Sequence, residues 1–432
     1  MTGQSAGRER LTSDQRNSFL AAVLGWTMDA FDYFIVVLVY ADIAEDFRVS
    51  DTEVAFIMTA TLLMRPVGAL LFGLWADRVG RRVPLMVNVT FYSVVGFLCA
   101  FAPNFTVLVI LRLLYGIGMG GEWGLGAALA MEKVPAKRRG FFSGLLQAGY
   151  PFGYLLASLA SVIVLSWAGL SWRWLFGLSI IPALISLIIR ARVKESAVWQ
   201  STRERLRVTR TSMKDILFDP KVIRRFVYLV LLMTAFNWMS YATQDAHPGP
   251  GFLNAIGVGD AGAGSGVTPS LVAWIAVCNN VGAIIGALGF GTLSDKFGRR
   301  STVLLCALLA LALLPFFAFF SFLGVMFLVP SVLMQVLVQG AWGIIPAHLT
   351  EMSPDAIRGC YPGVIYQLGN CLAAAFSLPI QEAIADTSVY PLALGGTVFL
   401  ALFAATTLAV AGKEAKGIRF GSPATTSAVT ES

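Results

Sequence analysis

The sequence is poor in charge. Only 13% of its 432 residues are Asp, Glu, Lys or Arg, about half the roughly 25% of a soluble globular protein. A soluble enzyme of this length needs more surface charge, and a disordered chain combines high charge with low hydrophobicity. Both classes are excluded, because 56% of the residues are hydrophobic and the mean hydropathy is +0.72. A helical membrane protein with many spans remains.

Histidine and paired cysteine are also scarce. The chain has two His and five Cys residues, and no CxxC pair occurs. Cysteines without paired spacing in apolar stretches indicate neither a disulfide framework nor a metal site. The sequence also shows no nucleophile–base pair and no glycine loop of the kind that holds a nucleotide phosphate. We therefore expect a protein that is not an enzyme and has no catalytic residues, metal or cofactor.

Long apolar runs fill the chain. A spanning helix needs about 20 apolar residues, and the sequence accommodates twelve such runs: 19–40, 54–76, 83–102, 105–131, 141–166, 172–191, 224–246, 268–292, 301–322, 324–350, 359–381 and 389–411. An Arg-rich segment divides them six and six. The pattern predicts an all-α integral membrane fold of two pseudo-symmetric six-helix bundles, with these parts: tail 1–18, bundle 19–191, basic linker 192–222, bundle 223–411 and tail 412–432.

The basic residues are concentrated in alternate connections. All but four of the 32 Lys and Arg residues fall in the two tails, the linker and the connections that share their side of the membrane. Cytoplasmic loops carry such an excess, so both termini are expected in the cytoplasm of a cell with the protein in its inner or plasma membrane. The net charge of +7 then reflects contact with lipid headgroups, not nucleic-acid binding.

The two halves of the chain carry a repeat. The segment Gly73-Leu-Trp-Ala-Asp77-Arg78-Val-Gly80-Arg81-Arg82 recurs 218 residues later as Gly291-Thr-Leu-Ser-Asp295-Lys296-Phe-Gly298-Arg299-Arg300. Glu132 with Arg139 recurs 219 residues later as Glu351 with Arg358. An ordered series at one spacing indicates two related six-helix units, and in such proteins the site lies where the repeats meet.

Both copies of this segment resemble the signature loop of the major facilitator superfamily. The resemblance implies a transporter fold in which the loop is a conformational latch between the halves. It assigns that latch to Gly73, Asp77, Arg78, Gly80, Arg81, Gly291, Asp295, Gly298 and Arg299. A basic loop that merely sets topology explains the arginines, but it does not explain the glycines and aspartates.

Ionisable residues inside the membrane are costly and are candidates for function. Asp29 and Asp32 lie three residues apart, so they share a helix face. Two close carboxylates in a low dielectric do not both ionise easily, and we expect one to hold a proton near neutral pH. Arg112 begins a segment that resembles the helix-four motif of proton-coupled superfamily members, in which the Arg faces an acid of helix one. The predicted proton-coupling set is Asp29, Asp32, Arg112 and Glu122; the alternative is an Asp paired permanently with Arg112 for structure.

A polar stripe marks the seventh run. Asn237, Tyr241 and Gln244 fall at helical spacing on one face with Ser240 beside them, which indicates a cavity wall, although an interhelical hydrogen-bond seam is the alternative. Gln147 and Tyr150 of the fifth run and Asn370 of the eleventh are further candidates for the cavity.

The stretch from Asn237 to Asp245 is similar to the helix-seven signature of the lactate/pyruvate–proton symporters within the sialate:proton symporter family, with Tyr241 where the family usually has His. The resemblance implies a small monocarboxylate as substrate and a proton gradient as driving force, and we expect a monomer. It adds Asp245 to the predicted substrate residues. A guanidinium suits a carboxylate, so we expect Arg65 or Arg112 to bind the anion. A larger acid (sialate, shikimate or an aromatic acid) and a nutrient sensor without flux are the alternatives.

Overall fold

The structure is a computed structural model that describes residues 11–178, 193–244, 269–319, 327–385 and 390–421, with residues 180, 184 and 188. Throughout these ranges the ordered elements are helices, and no strand is present. Ten helices in the described ranges are long and apolar enough to span a membrane, and each coincides with one of the twelve predicted runs. The predicted all-α membrane fold is confirmed.

The first half contains eight helices within its described residues: α1 Ser13–Leu38, α2 Tyr40–Phe47, α3 Asp51–Val79, α4 Arg82–Cys99, α5 Phe105–Lys133, α6 Arg139–Gln147, α7 Gly149–Ser161 and α8 Arg173–Leu178. A π-helical segment, Val162–Trp167, continues α7. Together with α6 and α7 it forms a single membrane span, Ala136–Trp167.

The linker and the second half contain nine helices within their described residues: α9 Ala197–Thr209, α10 Met213–Leu217, α11 Pro220–Gln244, α12 Pro269–Phe297, α13 Arg299–Phe319, α14 Leu328–Trp342, α15 Ile345–Met352, α16 Tyr361–Ala385 and α17 Tyr390–Ala411. The predicted linker 192–222 thus contains two short helices.

Side-chain caps mark the start of three long helices of the first half, α1, α3 and α5. The Thr12 hydroxyl accepts the Gln15 N–H at 3.2 Å, and the Gln15 side chain accepts the Thr12 N–H at 2.9 Å. This capping box satisfies two of the backbone donors that a helix leaves free at its start. Helix α1 therefore begins at Ser13, inside the predicted tail 1–18. Ser50 and Glu53 cap α3 in the same way.

The helices of each half pack in corresponding ways. In the first half α3 packs along α5 and α1 along α7, whereas in the second half α12 packs along α14 and α11 along α16. The halves meet where α6 lies against α12 and where α3 and α5 lie against α16. The end of the bundle that carries the repeated loops at 78–82 and 296–300 is called the loop end below.

Candidate functional site

A cavity of about 520 Å³ lies between the two halves. Its wall reaches Val37 in the last turn of α1 and Met58 in the second turn of α3, so it extends from the middle of the bundle toward the end opposite the loop end. Eight of the nine predicted substrate residues line it: Arg65, Gln147, Tyr150, Asn237, Ser240, Tyr241, Gln244 and Asn370. The ninth, Asp245, lies outside the described residues.

Among the described residues that line this cavity, Arg65 is the charged one. It projects from α3, is only 4% exposed, and its guanidinium carbon lies 5.1 Å from the centre of the Tyr33 ring. Within the described part of the chain, its Nε and Nη2 atoms have no hydrogen-bond partner. Buried polar groups are usually hydrogen-bonded, so these two donors are available to a carboxylate.

The second half lines the cavity with uncharged polar groups. The Tyr241 hydroxyl donates to Asn370 Oδ1. Gln339 Nε2 donates to Ser240 Oγ at 3.2 Å, and Ser240 Oγ donates to Gln244 Oε1 at 2.9 Å. These bonds join α14, α11 and α16 into one polar surface that can donate to and accept from a ligand.

Sequence reasoning did not find three amides of this wall: Asn279, Asn280 and Gln339. They lie within long apolar runs of α12 and α14, and an amide in such a run carries no formal charge to mark it. The adjacent pair of asparagines in α12 was the available signal, since amides in membrane helices find polar partners on neighbouring helices.

An aromatic floor closes the cavity toward the loop end. The Trp123 ring of the first half stacks on the Tyr366 ring of the second half, with centroids 4.3 Å apart and an interplanar angle of 19°. Trp342 and Trp26 meet the same tyrosine ring nearly perpendicularly, at 5.8 and 6.3 Å. Offset-stacked and edge-to-face pairs are the favoured aromatic geometries, so this cluster stabilises contact between the halves.

The predicted proton-coupling residues lie behind the cavity wall of the first half. Asp29, Asp32, Arg112 and Glu122 are all described, are at most 3% exposed, and do not belong to the cavity lining. The Tyr115 hydroxyl donates to Asp32 Oδ2 at 3.2 Å. The structure therefore places Arg65 on the cavity and Arg112 in the interior of the first half.

At the loop end, the repeated aspartates join the halves. Asp77 accepts the backbone N–H groups of Gly359 and Cys360, at 2.8 and 3.0 Å, where α16 is about to start. Asp295 accepts the backbone N–H groups of residues 140 and 141, in the first turn of α6, at 2.7 and 2.9 Å. A carboxylate at a helix N-terminus is favourable because the exposed N–H groups there carry positive partial charge. Each half thus caps a helix of the other.

Arginines of the loops extend this network. Arg81 lies 2.8 Å from Asp77, and Arg299 lies 2.8 Å from Asp295. Glu351 accepts two hydrogen bonds from Arg299, at 3.0 and 3.1 Å. It also lies 2.8 Å from Arg139 of the other half. Glu132 is the repeat counterpart of Glu351. It lies 3.5 Å from Arg81 and 3.6 Å from Arg358.

The loop glycines are needed for backbone geometry. Gly80 and Gly298 have φ angles of +110° and +101°, a region that other residues rarely adopt. The Glu195 carboxylate occupies the space that a side chain at Gly80 would need, and the Glu414 carboxylate does so at Gly298. Each carboxylate also accepts two backbone N–H groups at the start of the helix that follows its glycine.

Three further residues of the predicted latch lie at the interface or on the surface. A Cβ atom on Gly73 would lie 2.5 Å from the Cα of Cys360, and one on Gly291 would lie 2.7 Å from the Gly140 carbonyl oxygen. Both glycines therefore permit close approach of the halves. Arg78 is exposed, and its carbonyl accepts a hydrogen bond from Arg203 of the linker.

The segment after α17 also crosses between the halves. The Phe420 ring lies 3.9 Å from the guanidinium of Arg139 and 3.8 Å from that of Arg358. Arg139 also donates to the Ile418 carbonyl at 2.9 Å. This segment therefore contacts one arginine from each half while the loop end is closed.

Two family models match the chain. The model described as Major Facilitator Superfamily matches residues 22–256, and the model described as Sugar (and other) transporter matches residues 217–411. Together these matches include the latch loops and the residues lining the cavity.

The chain is also similar to individual transporters and to a solved structure. The chain is 28% identical to a probable 4-methylmuconolactone transporter of Cupriavidus pinatubonensis, over 83% of this chain and 82% of that protein. It is 25% identical to the sialic acid transporter NanX of Escherichia coli, over 84% and 86%. A solved structure of the proton:xylose symporter XylE has the same fold, with a TM-score of 0.77, 19% identity and coverage of 95% and 98%.

Proposed function

This chain belongs to the major facilitator superfamily and is a multi-pass membrane transporter rather than an enzyme, and from this premise we propose that it carries an organic acid with one carboxylate together with protons. The observation that carries the proposal is Arg65, a buried guanidinium on the cavity wall whose Nε and Nη2 have no hydrogen-bond partner among the described residues. A guanidinium binds a carboxylate through paired, charge-assisted hydrogen bonds. One cation among the described lining residues matches one anionic group.

The same proposal assigns the driving force to a proton gradient. Asp29 and Asp32 are buried beside each other in the first half, and a buried carboxylate is stable when it is protonated or paired. Protonation of one of them is proposed to weaken its attraction to Arg112 and to permit reorientation of the halves with the acid bound. The protein is proposed to act as a monomer without a cofactor.

The positive-inside rule orients this cycle in a cell membrane. The basic loop end faces the cytoplasm in our proposal, with both termini on that side. The cavity then extends toward the outside in the structure, because the aspartate caps and the aromatic floor close the loop end. Opening to the cytoplasm requires those contacts to separate, which is alternating access by rocking of two halves.

Two sizes of substrate fit this site. A small monocarboxylate of the lactate/pyruvate type is the first candidate, and Arg65 supplies a guanidinium for its carboxylate. A larger organic acid is the second candidate, because the cavity holds about 520 Å³ and similar proteins are named transporters of sialic acid and 4-methylmuconolactone.

Counterflow in proteoliposomes tests the substrate. Labelled lactate is exchanged against internal lactate and competed by pyruvate, acetate, sialate and shikimate. Competition by pyruvate supports the small acid, and competition by sialate or shikimate alone supports the larger one. Absence of exchange with each of these acids contradicts the assignment of carboxylate transport.

Accumulation driven by a pH gradient tests the coupling. Asp32→Asn is expected to abolish uphill accumulation while exchange at equal pH continues, and Asp42→Asn, which alters an exposed carboxylate of α2, is the control. If Asp32→Asn accumulates substrate at the wild-type rate with unchanged pH dependence, the proton role of Asp32 is wrong.

A further inference from the structure

Tyr115 connects two of the charged groups behind the cavity. The residue is fully buried in α5, one turn after Arg112. Its hydroxyl donates to Asp32 Oδ2 of α1 at 3.2 Å. The face of its ring lies against the Arg112 guanidinium, whose carbon is 4.7 Å from the ring centroid. One side chain thus contacts the acid with its polar end and the guanidinium with its ring.

The surroundings of Arg112 make the ring contact important. Its Nε and Nη2 atoms have no hydrogen-bond partner in the part of the chain that the structure describes. A second ring, that of Phe176 in α8, lies 4.6 Å from the guanidinium carbon. An arginine over aromatic faces is attracted by their negative charge distribution, most strongly when water is excluded. Tyr115 and Phe176 therefore hold the position of Arg112.

Few other titratable groups face Tyr115. Asp29 of α1 and Arg65 of α3 lie within electrostatic range of its hydroxyl, in addition to Asp32 and Arg112. From α4, the Tyr92 ring packs edge-on with centroids 5.9 Å apart, and the thiol of a further α4 residue, Cys99, lies near Arg112. The phenol thus lies between the acids of α1 and the guanidinium of α5.

We propose that Tyr115 is a positioning residue for proton coupling, an inference that rests on the proton symport proposed above. Its hydroxyl stabilises the ionised form of Asp32, and its ring holds the Arg112 guanidinium in place. A donor that favours the charged form makes the acid harder to protonate. Loss of the hydroxyl alone is therefore expected to let the carrier take up its proton at a higher pH.

The test is the pH profile of gradient-driven uptake by Tyr115→Phe, which removes one oxygen atom and retains the ring. The midpoint is expected to move upward by roughly one pH unit, a tenfold change in proton concentration, the size expected for one hydrogen bond to a charged group. Counterflow at saturating substrate and equal pH is expected to stay within about twofold of wild type, because the cavity is unchanged.

Tyr92→Phe is the matched control, since it removes a hydroxyl from a buried tyrosine of the neighbouring helix that packs on the same ring. A wild-type pH profile for Tyr115→Phe, or an equal shift for Tyr92→Phe, overturns the inference and leaves the proposed symport intact. A wild-type protein whose uptake does not respond to a pH gradient overturns both. Thermal unfolding of each purified variant establishes that the compared proteins are folded.

Discussion

The two six-helix halves are alike at the loop end and different at the middle of the membrane. At the loop end, Asp77 and Asp295 cap helices of the opposite half with nearly the same distances. At the middle, the first half combines buried charged residues with some neutral polar groups on the cavity, whereas the described lining of the second half has amides and hydroxyls but no charged residue. A rocking motion needs matched contacts between the halves, but binding and coupling need different chemistry. In the proposed function, the first half therefore handles charge and the second half recognises neutral groups of the substrate.

The largest effect is expected from removal of the cavity cation. Arg65→Ala should lower saturable uptake by roughly 30-fold or more, because truncating one partner of a buried charge pair costs about 2–5 kcal/mol. Arg65→Lys should recover part of this loss, since it keeps the charge without the paired donors. Counterflow rates measure both variants against Arg16→Ala, an exposed cation of α1. A wild-type counterflow rate in Arg65→Ala would contradict the proposal that the first half handles charge.

A smaller effect of a different kind is expected in the second half. Asn370→Ala removes the acceptor of the Tyr241 hydroxyl and an amide that faces the cavity. The half-saturating substrate concentration should rise about tenfold, the equivalent of one net hydrogen bond, while the pH midpoint stays in place. Concentration series at several pH values measure both quantities, with the exposed Gln200→Ala as control. A shifted pH midpoint in Asn370→Ala contradicts the division between the halves.

The sequence predicts the common features of the halves better than their differences. The loops of the predicted latch can be found in the sequence because Gly, Asp and Arg recur at one spacing. The helices can be predicted because an apolar run long enough to span a membrane is recognised without knowing its neighbours. Tyr115 was missed because a phenol within an apolar run is typical of a packed core. Asn279, Asn280 and Gln339 were missed because their importance depends on which helix faces are brought to the cavity.

Contacts made between distant segments are also not predicted from the sequence. Glu195 and Glu414 stand 219 residues apart, as the repeat demands, but they lie in polar segments where an acid is unremarkable. Phe420 lies in a tail that the sequence assigns to no element. The capping role of the two glutamates and the position of this ring follow only from the closed arrangement of both halves.

The loop end itself offers a sharper comparison between its two glutamates. Glu351 lies 2.8–3.1 Å from its two arginines, whereas Glu132 lies 3.5 and 3.6 Å from the corresponding pair. Glu351→Gln should therefore reduce the population closed at the loop end about fivefold, equivalent to about 1 kcal/mol. Glu132→Gln should lower it less than Glu351→Gln does, because its longer distances give a weaker attraction to the two arginines.

Spin labels on exposed residues of opposite halves, Lys137 and Phe297, report this population through their distance distribution. The short distance should lose weight in Glu351→Gln and remain dominant in Glu132→Gln. Equal shifts in the two variants would show that the halves contribute alike to the latch and that the difference in distances has no energetic consequence.

The smallest effect is expected from the aromatic ring that contacts both halves. Phe420 lies over Arg139 and Arg358, which are repeat counterparts from opposite halves, so it stabilises the closed loop end only while the two arginines are close. A cation–π contact near the surface contributes from about 0.5 kcal/mol, and Phe420→Leu should lower the ratio of closed to open molecules about twofold. Phe420→Tyr, which keeps the ring face, should behave as wild type in the same distance measurement. If leucine and tyrosine give the same population, the ring acts by volume alone, and the loop end is held by the ion pairs and helix caps.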